Sequence, residues 1–156
     1  MRKIIRIFLL VFLLAFIVIQ FFQPDKNKGT VSENDILTVQ KVPAKIAGIL
    51  KESCFDCHSN VTRYHWYHNV APVSWMINDH IQEGKEELNL SDWGKTDLYD
   101  KITTLEEMAQ ETRRKTMPLK SYLIMHPKAR LSDEQIEALN NWANELGEEL
   151  LKAAAN

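Results

Sequence analysis

The sequence lacks cysteine except at Cys54 and Cys57, which are separated by only two residues. A structural zinc site needs four ligands, usually from two such pairs, so an isolated histidine would have to complete it. The sequence also lacks sustained alternation of apolar and polar residues, and a thioredoxin-like dithiol expects a βαβ unit. A disulfide across two residues would be strained. These absences weaken the common alternatives for a cysteine pair.

An excess of basic residues is also missing. Beyond residue 23 the chain has 21 acidic and 16 basic residues, because Arg2, Lys3 and Arg6 come before that point, and this part has a formal charge of −5. Nucleic-acid binding needs a basic face, so the charge argues against this class of partner. It favours a protein partner with a positive patch instead.

A long apolar run is present at the N-terminus. The nineteen positions from Ile4 to Phe22 contain only two polar residues, Arg6 and Gln20. A helix of this length spans roughly 28 Å, close to the hydrocarbon core of a bilayer. Basic residues lie only at its N-terminal end, and its C-terminal end offers no small residues for signal-peptide cleavage. We expect a single transmembrane helix in residues 1–23 at a bacterial inner membrane, with a cytoplasmic N-terminus and a periplasmic domain.

The rest of the chain divides into a polar linker, residues 24–35, and one domain, residues 36–152. Apolar residues recur at helical spacing in four segments of this domain. These segments begin near Pro43, Pro72, Leu98 and Ser132. Pro118 ends the third helix before Met117, and Ser132 forms a capping box with Gln135 at the start of the fourth. The predicted fold class is all-α.

The two cysteines belong to the motif Cys-Phe-Asp-Cys-His, which ends at His58. Two thiols at this spacing match the two vinyl groups of a porphyrin, and the histidine that follows can stand beneath the iron. The motif predicts one covalently attached haem c, with thioethers from Cys54 and Cys57 and with His58 as the proximal iron ligand. A redox dithiol and a zinc site remain alternatives.

The iron needs a sixth ligand, usually a methionine or a histidine. Met117 is the leading candidate, because it lies in a loop that Pro118 stiffens. His126, also followed by a proline, is the alternative, and His80 comes third. Met76 and Met108 fall on apolar helix faces, where a methionine is more often a core filler.

An aromatic segment follows the motif and could form a wall of the haem pocket. Tyr64, Trp66 and Trp75 offer apolar area with a polar tip. Asn60 and Arg63 could bind a haem propionate. Ordinary core packing explains the same aromatic residues equally well.

Several blocks of the sequence resemble those of a known family and occur in the same order. They are "SCFDCHSNVTRYHWY", "APVSW", "EGKEELNLSDW" and "MPLKSYLIMHPKARLSDEQ". They are similar to the small haem-binding domain of Bacteroidetes-type bacterial proteins, over residues 36–146. The resemblance implies a cytochrome c-like bundle of about four helices around one haem, after an N-terminal membrane segment. It also implies attachment at both cysteines, the proximal histidine and Met117 as the distal ligand. The block from Tyr122 to Ser132 recurs in the family without an assigned function.

These observations predict a membrane-anchored monohaem cytochrome that transfers electrons rather than an enzyme. Its expected partners are redox proteins in or near the membrane. A Met/His pair leaves no open position on the iron, which suits outer-sphere electron transfer. The alternative is a haem-based sensor or a peroxidase-like protein, which needs a labile sixth ligand.

Overall fold

The computed structural model describes residues 1–155, and their regular structure is helical. The α-helices are α1 (Arg2–Ile19), α2 (Ile36–Val39), α3 (Ala44–Ser53), α4 (Phe55–His58), α5 (Val73–Glu87), α6 (Leu98–Arg113), α7 (Lys120–Met125) and α8 (Asp133–Ala154). Short 3-10 helices cover Trp66–Asn69, Leu90–Lys95 and Pro127–Ala129. Within residues 1–155 the only β-type pairing is an isolated antiparallel bridge between Lys28 and Val61. The all-helical expectation therefore agrees with the structure, although eight α-helices replace the expected four in the domain and one at the N-terminus.

The four helices predicted from periodicity in the domain correspond to α3, α5, α6 and α8. The Ser132 hydroxyl accepts a hydrogen bond from the Gln135 backbone N–H at 3.2 Å, and the Gln135 side chain accepts one from the Ser132 N–H at 2.9 Å. This is the expected capping box at the start of α8. The helices that the sequence did not predict, α2, α4 and α7, have only four to six residues.

The expected transmembrane helix is wrong. None of the helices in residues 1–155 is long and apolar enough to cross a membrane. The helix α1 ends at Ile19, and its first turns contain Arg2, Lys3 and Arg6. The apolar part that remains, from Ile7 to Ile19, is about 20 Å long, whereas the hydrocarbon core of a bilayer is about 30 Å thick. This finding also overturns the single-pass location in an inner membrane with a periplasmic haem domain.

The residues that follow α1 are hydrogen-bonded to α5 and to the segment before it. The Gln20 side chain exchanges two hydrogen bonds with the Ala71 backbone, at 2.9 and 3.0 Å. The Trp75 indole donates to the carbonyl oxygen of Phe22 at 2.5 Å. None of the α1 residues is buried.

Residues 26–29, here called the N-terminal strap, lie along the loop that follows the cysteine motif. The Asn27 amide donates to the Ser59 carbonyl oxygen at 2.8 Å and to the Thr62 hydroxyl at 2.9 Å. The Gly29 N–H donates to the Asn60 carbonyl oxygen at 2.7 Å. A Cβ atom at Gly29 would be 2.6 Å from that oxygen, so only glycine permits this approach. The domain boundaries at residues 23 and 35 stay a prediction, but the expected linker makes ordered contacts here.

The hydrophobic core lies between α3, α6 and α8, with α2 and the 3-10 helix Leu90–Lys95 packed against them. Its buried members are Ile36, Ile46, Ile49, Leu50, Leu90, Trp93, Leu105, Leu139, Trp142, Ala143 and Leu146. Leu139 is 0% exposed and Trp93 is 1% exposed. The core lies beside the cavity described next, because none of these eleven residues lines that cavity.

Candidate functional site

A cavity of about 720 Å³ lies between the cysteine motif, α5, α6 and the loop that follows α6. Cofactor pockets in proteins typically enclose roughly 300–1,000 Å³, so the volume suits a cofactor. Cys54, Cys57 and His58 line the cavity from the motif. Met117 and Pro118 line it from the loop. The structure thus brings the cysteine motif and the leading sixth-ligand candidate around one cavity, although 59 positions separate His58 from Met117.

His58 is held in one orientation by the end of α5. Its Nδ1 atom lies 3.1 Å from the carbonyl oxygen of Leu88. A carbonyl oxygen can only accept, so Nδ1 carries the hydrogen and Nε2 keeps a free lone pair. Burial lowers the pKa of His58, which favours the neutral imidazole that binds metals. A metal-binding histidine commonly donates its other ring N–H to a backbone carbonyl in this way.

The helix α5 approaches the cysteine motif closely at Gly84. A Cβ atom there would be 3.2 Å from the Cys57 carbonyl oxygen and 3.3 Å from the Cys57 Cβ. Both cysteines are half-buried and carry free thiols. Burial raises the pKa of Cys54 to about 12 and that of Cys57 to about 11. Both side chains are therefore protonated thiols at neutral pH.

The histidine candidates for the sixth ligand occupy different places. His80 lines the cavity from α5. His126 does not line it. Its ring instead stacks on Tyr122, with 4.1 Å between the ring centroids and 12° between the ring planes, and its Nε2 is hydrogen-bonded to the Tyr67 hydroxyl. Met117 therefore lies on the cavity and its histidine alternative does not.

A buried carboxylate stands between the two cysteines. Asp56 is 6% exposed and accepts hydrogen bonds from the Arg63 Nε at 3.0 Å, the Arg63 backbone N–H at 3.1 Å and the Tyr122 hydroxyl at 2.7 Å. Burial alone would raise the pKa of Asp56, but the hydrogen bonds from Arg63 and Tyr122 outweigh it and lower this pKa. Arg63 also pairs with Glu52 at 3.2 Å. Arg63, expected to bind a propionate, is thus already engaged with two protein carboxylates.

The structure does not bring the other expected pocket residues to the cavity. Asn60 donates to the Asp92 carboxylate at 3.0 Å. The Tyr64 hydroxyl accepts from a backbone N–H of the N-terminal strap at 2.6 Å. Trp66 is 73% exposed, and the Trp75 indole donates to the carbonyl oxygen of Phe22, which follows α1. Contact between these residues and a haem stays a prediction.

Several residues at the cavity were not singled out from the sequence as site residues. Gly84 had a detectable signal, because a glycine on the apolar face of a predicted helix suggests close packing. Asp56 and Leu88 had none. The acidic residues that line the cavity are Asp56, Glu83, Glu87, Glu107 and Glu111, and the lining contains one basic side chain with a fixed charge, Arg114. The site is therefore strongly acidic.

The set of side chains fits a covalently held haem. The cavity offers two reduced thiols, a neutral imidazole with a free Nε2, and a thioether. In residues 1–155 no group of three or more His, Cys, Asp or Glu side chains is arranged to hold a metal ion by itself.

Comparison with known families supports haem binding. The sequence profile of a haem-binding domain matches residues 14–145. No curated protein and no solved structure matches the chain. The profile covers well over half of the sequence and includes the whole cavity. The chain therefore belongs to the haem-binding domain family.

Proposed function

We propose that this protein is a monohaem c-type electron carrier. In this proposal Cys54 and Cys57 attach the haem, and His58 and Met117 are the axial iron ligands. The observation that supports it most is the common cavity, which all four side chains line. The family match supports haem binding, and the motif supports covalent attachment.

The attachment chemistry needs only the two thiols of the motif. When haem is bound, Cys54 and Cys57 would each hold it through a thioether, formed by adding the S–H group across one vinyl group. This addition needs no oxidant and releases no leaving group. The free, protonated thiols of Cys54 and Cys57 are in the starting state for this reaction.

The axial side chains favour electron transfer over substrate chemistry. Haem bound here supplies an iron that takes up and releases one electron. His58 offers a fixed neutral imidazole, and Met117 offers a thioether, a combination that raises the reduction potential relative to two histidines. With His58 and Met117 both holding the iron, no position on it would remain open for a substrate. We propose a redox protein with a positive patch as the partner, because the chain after residue 23 is acidic.

The first test is covalent attachment. The protein is expressed with a haem-attachment system, separated on a denaturing gel and stained for haem. We expect a stained band that is absent in the double variant Cys54→Ala/Cys57→Ala. A soluble, folded wild-type protein that takes up haem but loses it on the gel would contradict covalent attachment.

The second test concerns the sixth ligand. We expect Met117→Ala to lose the low-spin spectrum of the haem-loaded protein and to lower its reduction potential. His126→Ala, the matched control, should keep the low-spin spectrum. A sensor or peroxidase-like protein with a labile sixth ligand would instead give nearly identical spectra for wild type and Met117→Ala. His80→Ala then tests the remaining histidine on the cavity.

A further inference from the structure

One hydrogen bond connects the cysteine motif with the segment that carries Met117. The Tyr122 hydroxyl donates to the Asp56 Oδ2 at 2.7 Å, although the two residues are 66 positions apart. Asp56 lies between the two cysteines, and Tyr122 lies five positions after Met117. Both residues line the cavity. The bond therefore links two parts of the proposed site that are distant in sequence.

The acceptor end of this bond is fixed. Asp56 is buried, and Arg63 holds both of its oxygens, with Nε 3.0 Å from Oδ1 and Nη2 3.2 Å from Oδ2. The Asp56 carbonyl oxygen also accepts from the Thr62 hydroxyl at 2.7 Å. A carboxylate held by both backbone and side-chain bonds has little freedom to follow a moving partner. The Tyr122 hydroxyl therefore meets an immobile, charged acceptor, which makes the bond stronger than one between neutral groups.

The donor end is fixed as well. The Tyr122 ring is stacked on His126, which is bonded to Tyr67 outside the cavity. Tyr122 lies in the first turn of α7, which starts at Lys120. The few residues between Met117 and Tyr122 include Pro118, whose ring restricts the backbone. A shift of Met117 away from the cavity would therefore have to strain or break the Tyr122–Asp56 bond.

We infer that Tyr122 is a positioning residue for the sixth ligand: its bond to Asp56 holds the Met117 segment against the attachment motif and keeps the thioether on the iron. This inference rests on the proposed function. Tyr122 acts through Met117 and need not touch the iron. Without the hydroxyl, the Met117 segment separates more easily and an external ligand competes better for the iron.

The test uses the haem-loaded protein and imidazole as the competing ligand. We expect Tyr122→Phe to bind imidazole about 10-fold more tightly than wild type, because a bond to a charged acceptor no longer has to break. Covalent haem staining should not change. Tyr99→Phe is the matched control. It also removes a tyrosine hydroxyl, but at a residue of α6 that is 77% exposed and does not line the cavity, and its affinity should equal that of wild type.

A second pair of variants separates positioning from a general loss of stability. In a Met117→Ala background, adding Tyr122→Phe should leave the imidazole affinity unchanged, because no thioether remains to be held. Equal affinities for wild type and Tyr122→Phe, with a clear change in Met117→Ala, would overturn the inference and leave the proposed function standing. No change in Met117→Ala itself would overturn the proposed ligand. If Tyr122→Phe does not accumulate, Asp56→Ala removes the acceptor instead, and Arg63→Ala is its control because it loses the ion pair but keeps the Tyr122 bond. Equal affinities for Asp56→Ala and Arg63→Ala would then overturn the inference.

Discussion

Gly84 lies against the backbone of Cys57, and a Cβ atom at Gly84 would be only 3.2 Å from the Cys57 carbonyl oxygen. At Gly48, in α3, a Cβ atom would meet nothing within 4 Å. Alanine in a helix interior is more favourable than glycine by about 1 kcal/mol. We expect Gly48→Ala to raise the free energy of unfolding by about 0.5–1 kcal/mol. Gly84→Ala should gain nothing or lose stability, because backbone atoms of the cysteine motif must shift. Urea denaturation measures the free energy of unfolding of both variants. Equal stabilisation would show that a Cβ atom at Gly84 fits without any shift of the cysteine motif.

The core should tolerate little loss of volume. Leu139 is 0% exposed, so Leu139→Ala should lower the free energy of unfolding by about 2–5 kcal/mol through lost burial and a cavity. Leu151 in the same helix α8 is 52% exposed, and Leu151→Ala should cost much less. Chemical denaturation gives both values. Similar costs for the two variants would contradict the position of the core between α3, α6 and α8.

Arg63 should stabilise the protein mainly through Asp56. Arg63→Ala leaves a buried carboxylate with only the Tyr122 hydroxyl and the local backbone. We expect Arg63→Ala to lower the free energy of unfolding by about 1–2 kcal/mol at neutral pH. This value is at the lower end for a charged hydrogen bond, because the Arg63 side chain is 49% exposed and water screens its charge. Arg130 is exposed and has no ion pair within the described chain, so Arg130→Ala should change stability little. Thermal unfolding measures the loss of stability in both variants. Equal losses would show that Arg63 contributes no more than a surface charge.

The acidic lining of the cavity should influence the reduction potential of the proposed carrier. A negative charge favours the more positive, oxidised iron, so Glu107→Gln should raise the potential. Two charges roughly 10 Å apart in a highly polar environment interact by about 0.4 kcal/mol, or roughly 20 mV for one electron. Glu149→Gln is the control, because Glu149 does not line the cavity. Redox titration measures the reduction potential of both haem-loaded variants. Equal shifts in potential would mean that a charge on the cavity lining has no greater effect than a charge elsewhere on the protein.

The parts of the structure that depend on neighbouring residues could be predicted from local features of the sequence. The periodicity of α3, α5, α6 and α8 and the capping box at Ser132 are local, and both appear in the structure. The Met-Pro pair at Met117 marked the break after a helix, and the loop there reaches the cavity. The short helices α2, α4 and α7 are too short to show an apolar period, which explains why they were not predicted.

Other features depend on pairings that no sequence pattern records. The acceptor for His58 is a backbone carbonyl 30 positions away, and any residue at Leu88 would supply the same atom. The contact between Arg63 and a propionate stays a prediction, and the pairing of Arg63 with Asp56, which a buried carboxylate requires, could not be predicted from the sequence. At the N-terminus, counting apolar residues past Ile19 overestimated the length of α1, because the chain leaves the helix at Gln20.

The cavity is assembled from segments that leave the ribosome at different times. The N-terminal strap, which is hydrogen-bonded to the loop after the cysteine motif, is synthesised before Cys54 and Cys57. Met117 follows Cys57 by 60 positions, which takes about 3–12 s at roughly 5–20 residues per second. During that interval α6 and Met117 have not yet been completed, so they cannot close the cavity around the thiols of Cys54 and Cys57. The order of synthesis thus places Cys54 and Cys57 in the growing chain before the residues of α5, α6 and the Met117 loop that line the other sides of the cavity.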